Sequence, residues 1–364
     1  MKIAILGTRG IPNYHGGFEQ FAEFFSVFLH EKGVDAYVYC SSLHPFKEKN
    51  YKNVKRIVCK DYEDKIGTAG QFLYDLNCIL DARKRNFDVI LQLGYTSSSV
   101  WSFLFPKNAV IITNMDGLEW KRTKYNTLVQ QFLLFAEKLA VKKSDYLISD
   151  SIGIQEYIAN KYNKVSEFIA YGATLFASPD LSKILPFAEK PYAYDLLIAR
   201  MEPENNVEII IKGYLIKDSS RKLLLVGNYN GTKFGKYLYE KYSANKSIVF
   251  LGSIYEMETL DNLRYYSNLY FHGHSVGGTN PSLLEAMATN CCIVAHDNVF
   301  NKSILNDDAY YFGDENQLAE WLHLDKQQEE ITQKLENNRN KITYQYDWHI
   351  INTAYLDFIS KCIK

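Results

Sequence analysis

The sequence predicts an α/β protein built as two doubly wound lobes that face each other across a cleft. Three observations lead there. Strand-like and helix-like segments alternate along the whole chain, the pattern of parallel sheets with crossover helices. The alternation breaks over residues 176–191, where three prolines fall among mixed polar residues, and then starts afresh. The 364 residues also exceed what one hydrophobic core ordinarily serves. The expected domains are residues 1–185, joined by a last helix at 348–364, and residues 186–347.

In the first half, strands are expected at 2–7, 35–40, 54–59, 88–93, 109–113, 146–149 and 167–170. Most are short runs rich in Ile, Val, Leu or Tyr, as strands of a buried parallel sheet read. Between them, apolar residues recur at helical spacing over 17–32, 69–85, 126–143 and 152–162. In the second half, strands are expected at 195–199, 222–226, 248–251, 269–272 and 292–295, and helices at 206–217, 235–242, 258–267 and 281–289. Pro281 opens the last of these helices, where its missing N–H costs no hydrogen bond and its fixed φ suits the first turn. The amphipathic stretch 348–364 is expected to pack back across the junction of the lobes. Ligands of open α/β sheets bind at the C-terminal ends of strands, so the cleft is the expected site.

Composition narrows the partners. Hydrophobic residues at 47% and charged residues at 23% are those of a soluble globular protein. A net charge of −1 argues against nucleic acid, whose phosphates demand a clustered basic excess. The six cysteines form no CxxC pair and no Cys/His ligand spacing, and read as buried or partly buried thiols in a reducing compartment. The first residues form a strand pattern, unlike a signal peptide, and no apolar run is long enough to span a bilayer. A cytoplasmic protein is expected. The 28 tyrosines could stack on sugar faces, yet a base composition favouring Tyr, Asn, Lys and Ile codons explains most of them.

The most telling segment runs from His272 to Ala288. Gly277-Gly278-Thr279-Asn280 leads into the helix at Pro281, so bare backbone and a helix N-terminus stand ready for an anion. Glu285, one turn inside, is placed to accept hydrogen bonds from sugar hydroxyls. Together they suit a nucleoside diphosphate-sugar. The first β–α turn, Gly7 to Glu19, does not fit the dinucleotide glycine fingerprint. Within it, Gly16 and Gly17 could let a phosphate or sugar approach the backbone, Arg9 adds a positive charge, and Glu19 could accept hydroxyl hydrogen bonds.

Two more clusters stand at strand ends. Asp116, in Asp116-Gly117-Leu118-Glu119-Trp120-Lys121-Arg122, could orient an acceptor hydroxyl or stabilise developing positive charge. Arg200 would point into the cleft, where a guanidinium can grip a diphosphate through paired hydrogen bonds. Asn205 and Asn206 follow at the start of the next helix, where Asn is also an ordinary cap. The histidines share no metal-ligand spacing, so neither a bound metal nor a cofactor is expected, and charge neutralisation falls to Arg200 and the helix N-terminus.

Taken together, these segments resemble the retaining glycosyltransferases of family 4, whose two Rossmann-like lobes form the GT-B architecture. More narrowly, the chain resembles their bacterial rhamnosyltransferase-like branch. The resemblance rests on Arg9-Gly10-Ile11-Pro12, Gly16-Gly17-Phe18-Glu19, the run from Asp116 to Arg122, Glu202-Pro203-Glu204-Asn205-Asn206, and the segment before Ala288. In that family an Arg and a following Lys bind the donor diphosphate, and two glutamates eight residues apart grip the donor. Arg200 and Glu285 match; the Lys position is Asn205 and the first Glu position is Gly277. The family's frequent first-lobe His aligns with Asp116.

The resemblance implies sugar transfer from a nucleoside diphosphate, dTDP-rhamnose leading, to a hydroxyl of a lipid-linked or oligosaccharide precursor of surface polysaccharide. Retention by front-face attack is implied, the departing diphosphate assisting deprotonation. The stretch 121–143 carries six Lys/Arg beside Phe132, Leu133, Leu134 and Phe135, and could rest on an anionic inner-membrane surface. Rival expectations are a sugar-nucleotide epimerase on the same architecture and a degenerate transferase acting as a scaffold, the latter motivated by Asn205 and Gly277. An NAD-dependent oxidoreductase ranks last for want of the glycine fingerprint.

Overall fold

The computed structural model describes residues 1–122, 125–188, 190–217 and 219–363. Two compact units emerge: Met1–Lys121, Tyr125–Tyr171 and Trp348–Lys364 form one, Arg122–Lys124 and Gly172–Asp347 the other. The passage from the first to the second falls at Tyr171–Gly172, ahead of the proline-bearing stretch.

The first unit contains β1 (Lys2–Leu6), α1 (Gly17–Glu31), β2 (Asp35–Ser41), β3 (Asn50–Tyr51), β4 (Val54–Cys59), α2 (Glu63–Ile66), α3 (Ala69–Ala82), β5 (Val89–Leu93), β6 (Val110–Asn114), α4 (Thr127–Lys143), β7 (Tyr146–Ser149), α5 (Ile152–Tyr162) and β8 (Glu167–Phe168). Its sheet runs β3-β4-β2-β1-β5-β6-β7-β8, parallel throughout except for the short β3–β4 pair. The central strands are buried on both faces: every residue of β5 is buried, as its unbroken Val-Ile-Leu run requires.

The second unit contains β9 (Tyr194–Ile198), α6 (Val207–Ile216), β10 (Lys222–Val226), α7 (Lys233–Tyr242), β11 (Ile248–Gly252), α8 (Met257–Tyr265), β12 (Tyr270–His272), α9 (Pro281–Ala288), β13 (Ile293–His296), α10 (Val299–Leu305), β14 (Tyr310–Phe312), α11 (Glu315–Glu320) and α12 (Glu329–Lys341). The order β11-β10-β9-β12-β13-β14, all parallel, is the doubly wound order with its switch point between β9 and β12. The first sheet repeats that order around β1 and β5.

The chain then returns to the first unit as α13 (Trp348–Cys362). Phe21, Phe25 and Phe28 lie on one side of α1 at helical spacing, and the Tyr355 ring sits 4.4 Å from that of Phe21. The Tyr355 hydroxyl accepts a hydrogen bond of 2.8 Å from Asn114 Nδ2, which ties α13 to the end of β6. Each such large, fully buried side chain contributes roughly 1.5–3 kcal/mol.

Every strand and helix expected from the sequence is present, most ends agreeing within two residues. The structure adds β3, α2, β14, α10, α11 and α12, which the sequence pattern did not announce. All six cysteines are buried free thiols, as expected. Among the described residues no helix is long and apolar enough to cross a membrane. Of the basic stretch 121–143, residues 123 and 124 lie outside the described residues, as does the last residue of the helix expected at 348–364.

Candidate functional site

Each unit gathers polar side chains at its own switch point. In the first, a cavity of about 180 Å³ opens where β1 and β5 end. Arg9, Glu19 and Asp116 all line it; the cavity walls do not include Gly16 and Gly17. Gly16 is the extended residue before α1 and Gly17 the helix's first.

The expected ligand roles of Arg9 and Glu19 are altered by their surroundings. Both Nη2 and Nε of Arg9 donate to the Glu63 carboxylate, at 2.8 and 3.1 Å, so its charge is largely neutralised within the protein. Burial opposes that charge, but the hydrogen bond and attraction of Glu63 hold the guanidinium's pKa above its ordinary value. Glu19 is buried, and one of its oxygens accepts the main-chain N–H of Arg9 at 2.9 Å. It thus shapes the loop as an internal tie, a role equally open to an acid one turn into a helix. Asp116 occupies a left-handed backbone position (φ 52°) and its N–H donates to Asn114 Oδ1 at 3.0 Å.

Asp75 and Gln92 are among the cavity residues that were not foreseen. Asp75, on α3, is buried and accepts from Ser97 Oγ at 2.5 Å; burial first, and the nearby Asp61 charge after it, push its pKa up to about 6. Gln92, on β5, is 2% exposed, and its Oε1 has no hydrogen-bond partner among the described residues. An alternation Leu91-Gln92-Leu93 inside a buried strand was the available signal.

In the second unit, Arg200 is exposed just past β9 and forms no ion pair among the described residues. Asn205, expected to touch substrate, instead donates its side-chain amide to the Arg200 carbonyl at 2.8 Å and is 3% exposed. Asn206, in the position of a helix cap, leaves the capping role: with φ 50° its amide donates to the Gly273 carbonyl at 2.8 Å. The two asparagines therefore brace the end of β9 against the end of β12. The backbones are so close that a Cβ on Gly273 would lie 2.0 Å from the Asn205 carbonyl oxygen.

Around this brace lie groups to which the sequence analysis assigned no individual role. Glu204 is buried with Arg122 Nη1 3.9 Å from it, and neither carboxylate oxygen has a hydrogen bond among the described residues. His272 is fully buried with both ring nitrogens unpartnered among the described residues, stacked on His274 at 4.5 Å. Burial, then His274, drives the His272 pKa well below its ordinary value. Burial, followed by the positive charges of Arg200 and Arg122, lowers that of His274 to about 3. Both imidazoles are neutral near pH 7, in a field made positive by two guanidinium groups.

The loop 277–280 and α9 fall where expected. Asn280 caps α9 by accepting from Ser282 N at 2.9 Å, and the Asn280 carbonyl takes Leu283 and Leu284 N–H. Those first helical amides are occupied, so an anion here would meet the loop ahead of them and not the first turn. At Gly277, the position of the family's first Glu, φ is 139°, a conformation that L side chains rarely adopt. Glu285 also has a partner within the fold: its carboxylate is ion-paired with Arg264, a guanidinium 1% exposed that also binds Asp261 at 3.0 Å and Ser282 Oγ at 3.3 Å. Glu285 is first of all a counter-ion for a buried charge. Among the described residues, no group of three His, Cys, Asp or Glu side chains could hold a metal ion.

With both strand-end clusters assigned, residues 180–342 match the family described as glycosyl transferases group 1. Residues 1–174 match a domain of unknown function, DUF1972. No curated protein sequence matches the chain. The chain as a whole is similar to sucrose-phosphate synthase from Thermosynechococcus elongatus (TM-score 0.80, 15% identity, 99% of this chain and 98% of that one). The Anabaena protein HepE, solved with UDP and glucose, is similar at TM-score 0.76 and 16% identity over 99% of this chain and 100% of its own. The α,α-trehalose 6-phosphate synthase of Burkholderia multivorans follows at 0.71 and 12%, with 99% and 98% covered. At these identities the likeness establishes the fold: α/β, with the two parallel-sheet lobes of the GT-B glycosyltransferases.

Proposed function

We propose that the protein transfers a sugar from a nucleoside diphosphate-sugar to an acceptor hydroxyl with retention at the anomeric carbon. dTDP-rhamnose is the leading donor, and a lipid-linked or oligosaccharide precursor of surface polysaccharide the leading acceptor. The observation that carries this is Arg200: an exposed guanidinium at the β9–β12 switch point of a group 1 glycosyltransferase domain, with Arg122 supplying a second charge. That a protein of the same fold was solved with UDP and glucose supports a nucleoside diphosphate-sugar as the donor.

In the reaction, the bond between the anomeric carbon and the diphosphate oxygen breaks as the acceptor oxygen bonds to that carbon. The acceptor's proton passes to the departing diphosphate. Arg200 and the amides of Gly278, Thr279 and Asn280 stabilise the negative charge that develops on the leaving group, with no divalent cation as cofactor. Neutral His274 adds no positive charge but offers a ring nitrogen to a sugar hydroxyl. Asp116 orients the acceptor hydroxyl.

Membrane contact at the inner cytoplasmic face is part of the proposal. On α4, Leu128 (77% exposed) and Phe135 (54% exposed) stand seven residues apart, on the stripe that continues to Lys142, with Lys138 beside them. Exposed apolar side chains followed by cations suit the surface of an anionic bilayer.

A thermal-shift panel of dTDP-, UDP- and GDP-sugars tests the donor. The matching nucleotide at about a hundredfold over its Kd should stabilise the protein by about 2.7 kcal/mol. No shift with any of them would remove the transferase assignment.

A further inference from the structure

We propose that Lys161 is a positioning residue for sugar transfer: its ammonium group, fixed by the buried Glu137, holds the Trp120 ring and so sets the segment that carries Asp116. The proposal rests on the glycosyl-transfer reading, in which Asp116 orients the acceptor hydroxyl.

The anchor is a carboxylate. Glu137, on α4, is 1% exposed, and its Oε1 accepts from Tyr157 Oη at 2.8 Å, Lys161 Nζ at 2.9 Å and Tyr162 Oη at 2.5 Å. Its Oε2 accepts at 3.5 Å from the hydroxyl of Tyr95, which lines the same cavity as Asp116. Burial first, then Glu137, raises the pKa values of these three tyrosines, so each hydroxyl stays a donor. The Lys161 ammonium group lies 5.3 Å from the centre of the Trp120 ring, within cation–π range, and the Tyr157 ring stands 6.2 Å from that indole.

From Trp120 to Asp116 the path is short. Asp116 sits at φ 52°, with its N–H tied back to Asn114 Oδ1. Beyond it, Glu119 N–H donates to the Gly117 carbonyl and Lys121 N–H to that of Leu118, both at 2.9 Å, which closes the single turn Glu119–Lys121 around Trp120. A left-handed residue that is not glycine persists where the chain on both sides of it is fixed. Asn114 fixes one side, and the indole under the Lys161 cation fixes the other.

A second clamp of the same design shows what is particular to the first. In the other unit Glu208, on α6, accepts from Tyr237, Lys241 and Tyr242 at 2.8, 2.9 and 2.9 Å. The spacing repeats, a Tyr, a Lys four residues on and a Tyr five on, at the end of α5 in one case and of α7 in the other. Such a clamp joins two successive helices. Among the described residues Lys241 covers the two tyrosine rings of its own clamp, whereas Lys161 covers its two and Trp120 besides.

The test measures transfer by the whole protein from dTDP-rhamnose, UDP-glucose or GDP-mannose to octyl α-rhamnoside, β-glucoside, β-galactoside and β-N-acetylglucosaminide. Lys161→Met should lower kcat/KM for the acceptor about tenfold and leave the donor KM unchanged. Lys161→Arg, which keeps a cation over the ring, should restore it. Lys241→Met removes the matching contacts in the second unit and should leave both constants as in wild type. In an Asp116→Asn background Lys161→Met should cost nothing further, because residues that act as a unit are not additive. Trp120→Leu should reproduce Lys161→Met and carries the test if that variant fails to fold. Wild-type kinetics in Lys161→Met, an equal loss in Lys241→Met, or losses that add to that of Asp116→Asn overturn the positioning role alone, since wild-type transfer upholds the transferase reading. A wild type that transfers to none of these acceptors overturns that reading and the role built on it.

Discussion

Arg200 and Asp75 show how differently single side chains can matter. Arg200 is exposed with no ion pair among the described residues, so replacing it disturbs little of the folded structure. Arg200→Ala should leave the thermal midpoint nearly unchanged and cost about 2–4 kcal/mol of transition-state stabilisation. That corresponds to a loss of roughly 30- to 1,000-fold in kcat/KM, read by steady-state kinetics. Asp75 acts on stability. Its pKa rises from an ordinary 3.8 to about 6 in the folded protein, so the folded state keeps a proton that the unfolded chain has released. Stability therefore falls as pH climbs through roughly 4 to 6, by about 3 kcal/mol in all. Asp75→Asn should be more stable than wild type in urea unfolding at pH 7.5 and lose that advantage near pH 4. Equal differences at both pH values would contradict the burial argument.

At the scale of elements, Arg264 on α8 is held by Glu285 on α9, so the two helices are joined through a buried ion pair. Removing one partner leaves a charge buried without compensation. Glu285→Ala should lower unfolding free energy by about 3–5 kcal/mol, a change visible without any ligand. A variant with wild-type stability and only weakened donor binding would restore Glu285 to the ligand role expected from the sequence. The elements missed in the sequence have a common cause. α10 and α11 are under two turns long, too short for a periodic signal, although Asn298 and Asp314 do cap them. In α12 only Ile331, Leu335 and Asn338 are buried, an apolar stripe too narrow to stand out among charged neighbours. β14 is three residues at a sheet edge. Longer elements such as α1 and β5 were legible because burial of a whole face imposes a repeat.

For the molecule as a whole, the exposed apolar and basic stripe of α4 has a consequence that depends on ionic strength. The protein should float with anionic liposomes at low salt and release as salt approaches levels where the Debye length falls to a few ångströms. Failure to float at low salt would remove membrane contact from the proposal. Glu285→Ala would not alter this behaviour beyond its effect on folding, since the stripe belongs to the first unit and the ion pair to the second.

The sequence by itself determined the two doubly wound units, most of their strands and helices, and the positions of Arg9, Asp116, Arg200 and α9 at strand ends. Periodicity, prolines and glycine pairs are local signals, and parallel sheets translate them directly into architecture. Only the tertiary structure decided which polar side chains are already engaged: Arg9 with Glu63, Asn205 with the Arg200 carbonyl, Glu285 with Arg264, while Gln92 is left unpartnered. Those pairings join residues up to 54 positions apart, as from Arg9 to Glu63. Partners so distant in sequence meet only through folding, and it is the burial accompanying that meeting that fixes their charge and their capacity for a ligand.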